Sequence, residues 1–112
     1  MSEKTGVFVG TFDPFTVGHA SIVRRALPLF DRLVIGVVGD NVQKPGMTPV
    51  NERLSPIRQL YAGDPRVQVQ PYHGLAVDFA RSVGAGFIVK GVRSVKDFEY
   101  EREQAEIHRL IT

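Results

Sequence analysis

Four short apolar runs, separated each time by a segment of helical periodicity, constrain this chain more than any other feature. "GVFVG" (6–10), "RLVIGVV" (32–38), "RVQVQ" (66–70) and "GFIVKG" (86–91) are rich in valine and isoleucine and of strand length. Between the first two, His19, Ile22, Val23, Ala26 and Phe30 share one face of a helix predicted over 17–30. A second helix is predicted over 48–61, with Thr48 as N-cap and Pro49 at the first helical position. Pro56 falls inside it and predicts a kink, or a restart capped by Ser55. Leu75, Phe79 and Val83 mark a third helix. Ser94 and Asp97 resemble a capping box that opens a charge-laced helix over 94–110.

Strands that alternate with helices, and that are apolar on both faces, predict an α/β fold: a Rossmann-like, doubly wound parallel sheet. The 112 residues are enough for a single domain, with no repeat or linker to divide them. Right-handed crossovers put all the strand-to-helix loops along one edge of the sheet, and ligands bind there where the strand order reverses. The loops after strands one and four, "GTFDPFTVGH" and "KGVRSVKDF", therefore carry the functional expectation.

In the first loop, Gly10 could admit a ligand close to the backbone, Thr11 adds a hydroxyl, and the helix that follows presents free N–H groups to an anion. His19 lies in that helix's first turn. By itself it reads equally well as a core histidine. Asp13-Pro14 reads as turn chemistry. In the other loop, Lys90 and Arg93 around Gly91 could clamp phosphates, although surface cations are the commoner fate of such residues. Glu101 and Lys44 carry no signal of their own beyond a solvent-facing charge.

Composition narrows the partners. The formal net charge is +2, and lysines and arginines are scattered rather than clustered, which argues against nucleic acid and permits small anions. With no cysteine, and no His/Asp/Glu set at ligand spacing, a protein-held metal is not expected. The start "MSEKTGVFVG" has no signal-peptide run, and no stretch approaches a membrane span, so a soluble, cytoplasmic chain is expected.

Taken together, the blocks resemble a known family. "GTFDPFTVGH", with its T-x-G-H ending, resembles the nucleotidyltransferase superfamily signature, and "KGVRSVKDFEYE" the second block of bacterial phosphopantetheine adenylyltransferases. "KPGMTPVNER" is similar to that family's lysine loop with its Glu-Arg helix start, and "LAVDFAR" to its pantetheine-facing segment. The resemblance implies that the phosphate of 4′-phosphopantetheine attacks the α-phosphorus of ATP, giving dephospho-coenzyme A and pyrophosphate. It implies that Thr11 touches the acceptor phosphate and, with Phe12, the nucleotide. His19 would stabilise charge on the α-phosphate, Lys44 would bridge the reacting phosphates, and Ala76 would line the pantetheine site. Lys90 would hold the acceptor phosphate. Gly91, Val92, Arg93 and Glu101 would hold ATP, with Mg²⁺ arriving on the nucleotide. A homohexamer under coenzyme A feedback is implied as well.

Two departures stand out. Lys90 occupies a position where the family has arginine, which keeps the charge and loses the planar fork. The family's later strand, serine-rich ATP loop and terminal helices are absent from the 112 residues, so the C-terminal part of the family fold is expected to be missing. Two competing readings remain at this level. One is a sister nucleotidyltransferase with another phosphorylated acceptor; the other is a non-catalytic nucleotide- or coenzyme A-binding remnant.

Overall fold

A computed structural model describes residues 3–39, 46–94 and 102–110, with backbone alone at 92–94 and 102–105. The first predicted run forms β1 (Thr5–Gly10), and Thr16 caps α1 (Val17–Ala26). Ile22, Val23 and Ala26 are buried, as the helical spacing predicts. The α-helix is shorter than the 17–30 pattern and tightens into a 3₁₀ turn at Leu27–Leu29. Pro28 explains the change, because it has no N–H to return to the Arg24 carbonyl.

Next come β2 (Arg32–Val38), α2 (Val50–Leu60), β3 (Val67–Tyr72), α3 (Ala76–Ser82) and β4 (Phe87–Ser94). α2 differs from expectation at both prolines. Pro49, not Thr48, is the N-cap, and its carbonyl accepts the N–H groups of Glu52 and Arg53. The helix then runs through Pro56 without a restart at Ser55. The carbonyl deprived of a partner there belongs to Glu52, an exposed residue where water can serve.

The last predicted helix is overturned. Residues 95–101 lie outside the described residues, and Arg102–Arg109 form β5, antiparallel to β4 with Lys90 opposite Glu106. Charge spacing suggested a helix, yet Ala105 and Ile107 also alternate with Gln104, Glu106 and His108, which is strand periodicity. Pairing along the edge of β4 satisfies backbone groups that a charged helix with no apolar stripe would leave unanswered.

The sheet order is β3-β2-β1-β4-β5, parallel except for β5. From β1 the chain winds outward to β2 and β3, then returns to the other side of β1 as β4. Order therefore reverses between β1 and β4. One face of the sheet buries Phe8, Leu33, Ile35, Val37 and Val89 under α1 and α2. The other buries Val7, Val34 and Ile88 under Phe79 and Ala80 of α3. Among the described residues, no helix is long and apolar enough to cross a membrane.

Candidate active site

A cavity of about 390 Å³ opens at the carboxyl end of β1, at the point where the strand order reverses. Phe8, Val9, Gly10, Thr11 and Phe12 line it from β1 and its loop, His19 and Ile22 from α1, and Gly91 from β4. Thr11, Phe12, His19 and Gly91, singled out from two distant sequence blocks, thus share one wall.

His19 is held by the start of its own helix. The Thr16 hydroxyl accepts the His19 N–H, and the Thr16 N–H donates to His19 Nδ1 at 2.9 Å, a capping box with histidine where Glu or Gln is usual. An Nδ1 that accepts a hydrogen bond carries a lone pair, so the neutral ring has its proton on Nε2. The rings of Phe12 and Phe15 pack against the imidazole at 5.0 and 5.3 Å between centroids. Helix cap and aromatic walls together fix the ring as a directed donor on an apolar bed.

The Phe12 side chain is buried, and its ring meets Phe8 edge-on at 5.2 Å, while the residue lines the cavity. Its φ of 51° lies in the left-handed region, a strain that the packed ring offsets. The same ring crowds Gly10: a Cβ there would lie 3.0 Å from the Phe12 ring. That spacing is tighter than most real Cβ contacts, so the ring would have to give by a few tenths of an ångström, while Gly10 itself lines the cavity. Gly91 is similar, since its Cβ would stand 2.6 Å from the Ile22 Cδ1.

Lys90 and Ala76 do not join this wall. Val89 packs with the α1 side of the sheet and Ile88 with the α3 side, so alternation along β4 puts Lys90 on the α3 side, exposed. Ala76, the first residue of α3, packs against the core on that same side. The described candidates therefore divide by sheet face: Thr11, Phe12, His19 and Gly91 on one, Ala76 and Lys90 on the other. β4 runs on to Ser94, three residues past the expected end at Gly91, so residues 92–94 are strand where a loop was expected. Lys44 and Glu101 lie outside the described residues, as do the side chains of Val92 and Arg93.

Sequence reasoning missed Arg53. It is 4% exposed, donating from Nε to the Thr48 carbonyl at 2.6 Å and from Nη1 to the carbonyls of Thr11 at 2.9 Å and Val38 at 2.7 Å. Beside it, Asp13 accepts the Thr48 N–H at 2.8 Å. That bond, then the Thr48 hydroxyl, and further the positive charge of Arg53, hold the Asp13 carboxyl below the usual carboxylate range against a small burial effect. The signal was present: Val50, Arg53, Leu54 and Ile57 follow i, i+3, i+4, i+7, which puts an arginine on an apolar helix face.

The sequence pattern of the family described as "Cytidylyltransferase-like" matches residues 7–112. A phosphopantetheine adenylyltransferase of Bacteroides fragilis is 49% identical over 108 residues, 96% of this chain and 71% of that protein. One from Rhizorhabdus wittichii is 48% identical over 96% of this chain and 65% of its own length. Among solved structures, a lipopolysaccharide core biosynthesis protein from Thermoplasma volcanium superposes with a TM-score of 0.63, at 25% identity over 78% of this chain and 73% of that one. The NadR protein, in complex with NAD and AMP-PNP, shares the fold alone, with a TM-score of 0.56 at 24% identity over 64% of this chain and 21% of its own.

Proposed function

The chain belongs to the cytidylyltransferase-like family and, within it, to the phosphopantetheine adenylyltransferases, and on that premise we propose that it transfers the adenylyl group of ATP to 4′-phosphopantetheine. An oxygen of the acceptor phosphate bonds to the α-phosphorus, the bond from that phosphorus to the bridging oxygen breaks, and pyrophosphate leaves. Dephospho-coenzyme A is the product. The observation that carries this reading is the cavity at the β1–β4 reversal, where His19 is fixed with Nε2 as its donor.

In this reading the cavity takes the reacting phosphates of ATP. Thr11 and the main chain of Phe12 meet the nucleotide, and the His19 Nε2–H meets charge gathering on the α-phosphate. Such a transfer depends on positioning and electrostatics and needs no protein nucleophile. Gly91, Val92, Arg93 and Glu101 complete the ATP site. Lys90 and Ala76, together on the α3 side of the sheet, belong to the acceptor, and Lys44 bridges the two substrates. Mg²⁺ enters on the ATP. A homohexamer in the cytoplasm, restrained by coenzyme A, is part of the same proposal.

Pyrophosphate release tests it. ATP with 4′-phosphopantetheine is expected to give release, whereas CTP, or nicotinamide mononucleotide or choline phosphate as acceptor, is expected to give little. Equal rates with another acceptor would make this a sister enzyme. Calorimetric binding of both substrates without release would make it a binding module.

Two variants probe the acceptor side. If Lys90 holds the phosphate, Lys90→Ala should weaken phosphopantetheine about tenfold or more, since a charge-assisted hydrogen bond is worth roughly 1.5–3 kcal/mol. Lys90→Arg should preserve or improve that affinity by restoring the fork, with ATP affected less in both. Titrations of both substrates decide, and a loss confined to ATP would reverse the division between sheet faces. Lys44→Ala should reduce kcat and leave thermal unfolding unchanged. A large fall in melting temperature at an unchanged rate would make that lysine structural.

A further inference from the structure

We infer that Arg53 is a positioning residue for the adenylyl transfer, an inference that rests on the function proposed above. Its guanidinium is buried behind the cavity wall, not in its lining, and joins three segments that border the site. Through Thr11 it holds the loop that leads from β1 to the His19 helix. Through Val38 it holds the end of β2, and through Thr48 the chain just before α2. Val38 and Thr48 bracket the stretch of sequence that contains Lys44. One side chain therefore ties both ends of that stretch to the backbone that presents Thr11.

A second tie reinforces the first. The Asp13 carboxylate on the same loop takes the Thr48 N–H, so loop and helix start are joined by an arginine on one side and a carboxylate on the other. Arginine suits this task in a way that lysine does not. Its planar fork donates in several fixed directions at once, and its charge never leaves. A lysine there keeps the charge, but its single ammonium cannot reproduce the spread of bonds from Nε and Nη1. The loop would then be free to shift relative to α2, and misplacement of about 1 Å at a reacting centre can cost about 10²-fold in rate.

The test is a double-mutant cycle on the whole protein, with Arg53→Lys and His19→Ala singly and together, read as kcat for pyrophosphate release well below each variant's melting temperature. Arg53→Lys alone is expected to lower kcat by about 10- to 100-fold. In the His19→Ala background the same change should cost less than about threefold, because the loop no longer has an imidazole to aim. An unchanged kcat with a lowered melting temperature would make Arg53 structural and overturn the inference. So would an equal loss in both backgrounds, since the arginine would then not act through His19. A normal rate in His19→Ala alone is a different failure, that of the catalytic reading itself. Should Arg53→Lys not fold, Asp13→Ala takes its place in the cycle. Asp13 is exposed, its loss breaks the second tie between the same segments, and the same outcomes apply.

Discussion

Replacing His19 with glutamine is expected to lower turnover about 10²–10³-fold, the usual cost of one directed donor lost from a transition state, while thermal stability stays near that of the parent. Glutamine is chosen because His19 has two jobs. Its Nδ1 accepts the Thr16 N–H and closes the capping box that starts α1. In the proposed reaction its Nε2–H, on the wall of the cavity, is the donor that meets the α-phosphate. Glutamine at this third helical position is a standard capping-box partner, so its side-chain oxygen can take over the Thr16 N–H. The amide N–H₂ it keeps sits on a side chain with one more torsion than histidine's, so it is not held as the directed donor that the packed imidazole is. His19→Ala removes both functions and should lose the same turnover plus up to about 1 kcal/mol of stability, a shift of several degrees at most for a domain near this size. Rates and melting curves on the same preparations separate the two jobs. Near-normal pyrophosphate release in both variants would return His19 to the role of a capping residue with no part in the chemistry.

The first four strands and the reversal point were legible because β1, β2 and the start of β4 are apolar runs and β3 alternates Val with Gln, and the alternation with helices leaves few topologies. Thr11, His19 and Gly91 could be placed at one edge for the same reason. What escaped the sequence was contact between segments far apart in the chain. Arg53 was not singled out, although its place between Val50 and Leu54 on an apolar face marked it. Gly10 suggested the approach of a ligand, and its contact with the Phe12 ring, two residues on, was not read. β5 was read as a helix because charge spacing is a weak signal and pairing with β4 is a tertiary event. Lys90 was placed beside Gly91 and Arg93 at the end of strand four with no sheet face given, and the parity of that strand, with Val89 on one side and Ile88 on the other, puts it across the sheet from the His19 cavity.

Gly36→Ala should destabilise the fold by about 1–2 kcal/mol, and the damage should fall on the acceptor side of the sheet. Gly36 lies in β2, between Val9 of β1 and Gln70 of β3. A Cβ there would stand 2.5 Å from Phe79 Cε2 and 3.1 Å from Tyr72 Cδ1, closer to Phe79 than real side chains come. Neither ring can step aside easily: Phe79 is 7% exposed, and the two rings stack with centroids 4.8 Å apart. Overpacking of this kind costs about 1–3 kcal/mol, whereas replacing glycine by alanine returns only about 0.4–1 kcal/mol through the unfolded chain. The clash wins. Phe79 is the anchor that holds α3 to the sheet, and Ala76 is three residues before it on the same helix. A displaced α3 should therefore weaken phosphopantetheine binding and leave ATP affinity nearly unchanged, since the His19 cavity lies on the opposite face. Phe79→Leu in the Gly36→Ala background should recover part of the stability, although in the parent it creates a void and costs stability. Denaturant unfolding of the four proteins measures that coupling. Additive losses, or an unchanged Gly36→Ala midpoint, would mean that the rings relax freely and that α3 is not seated on this glycine.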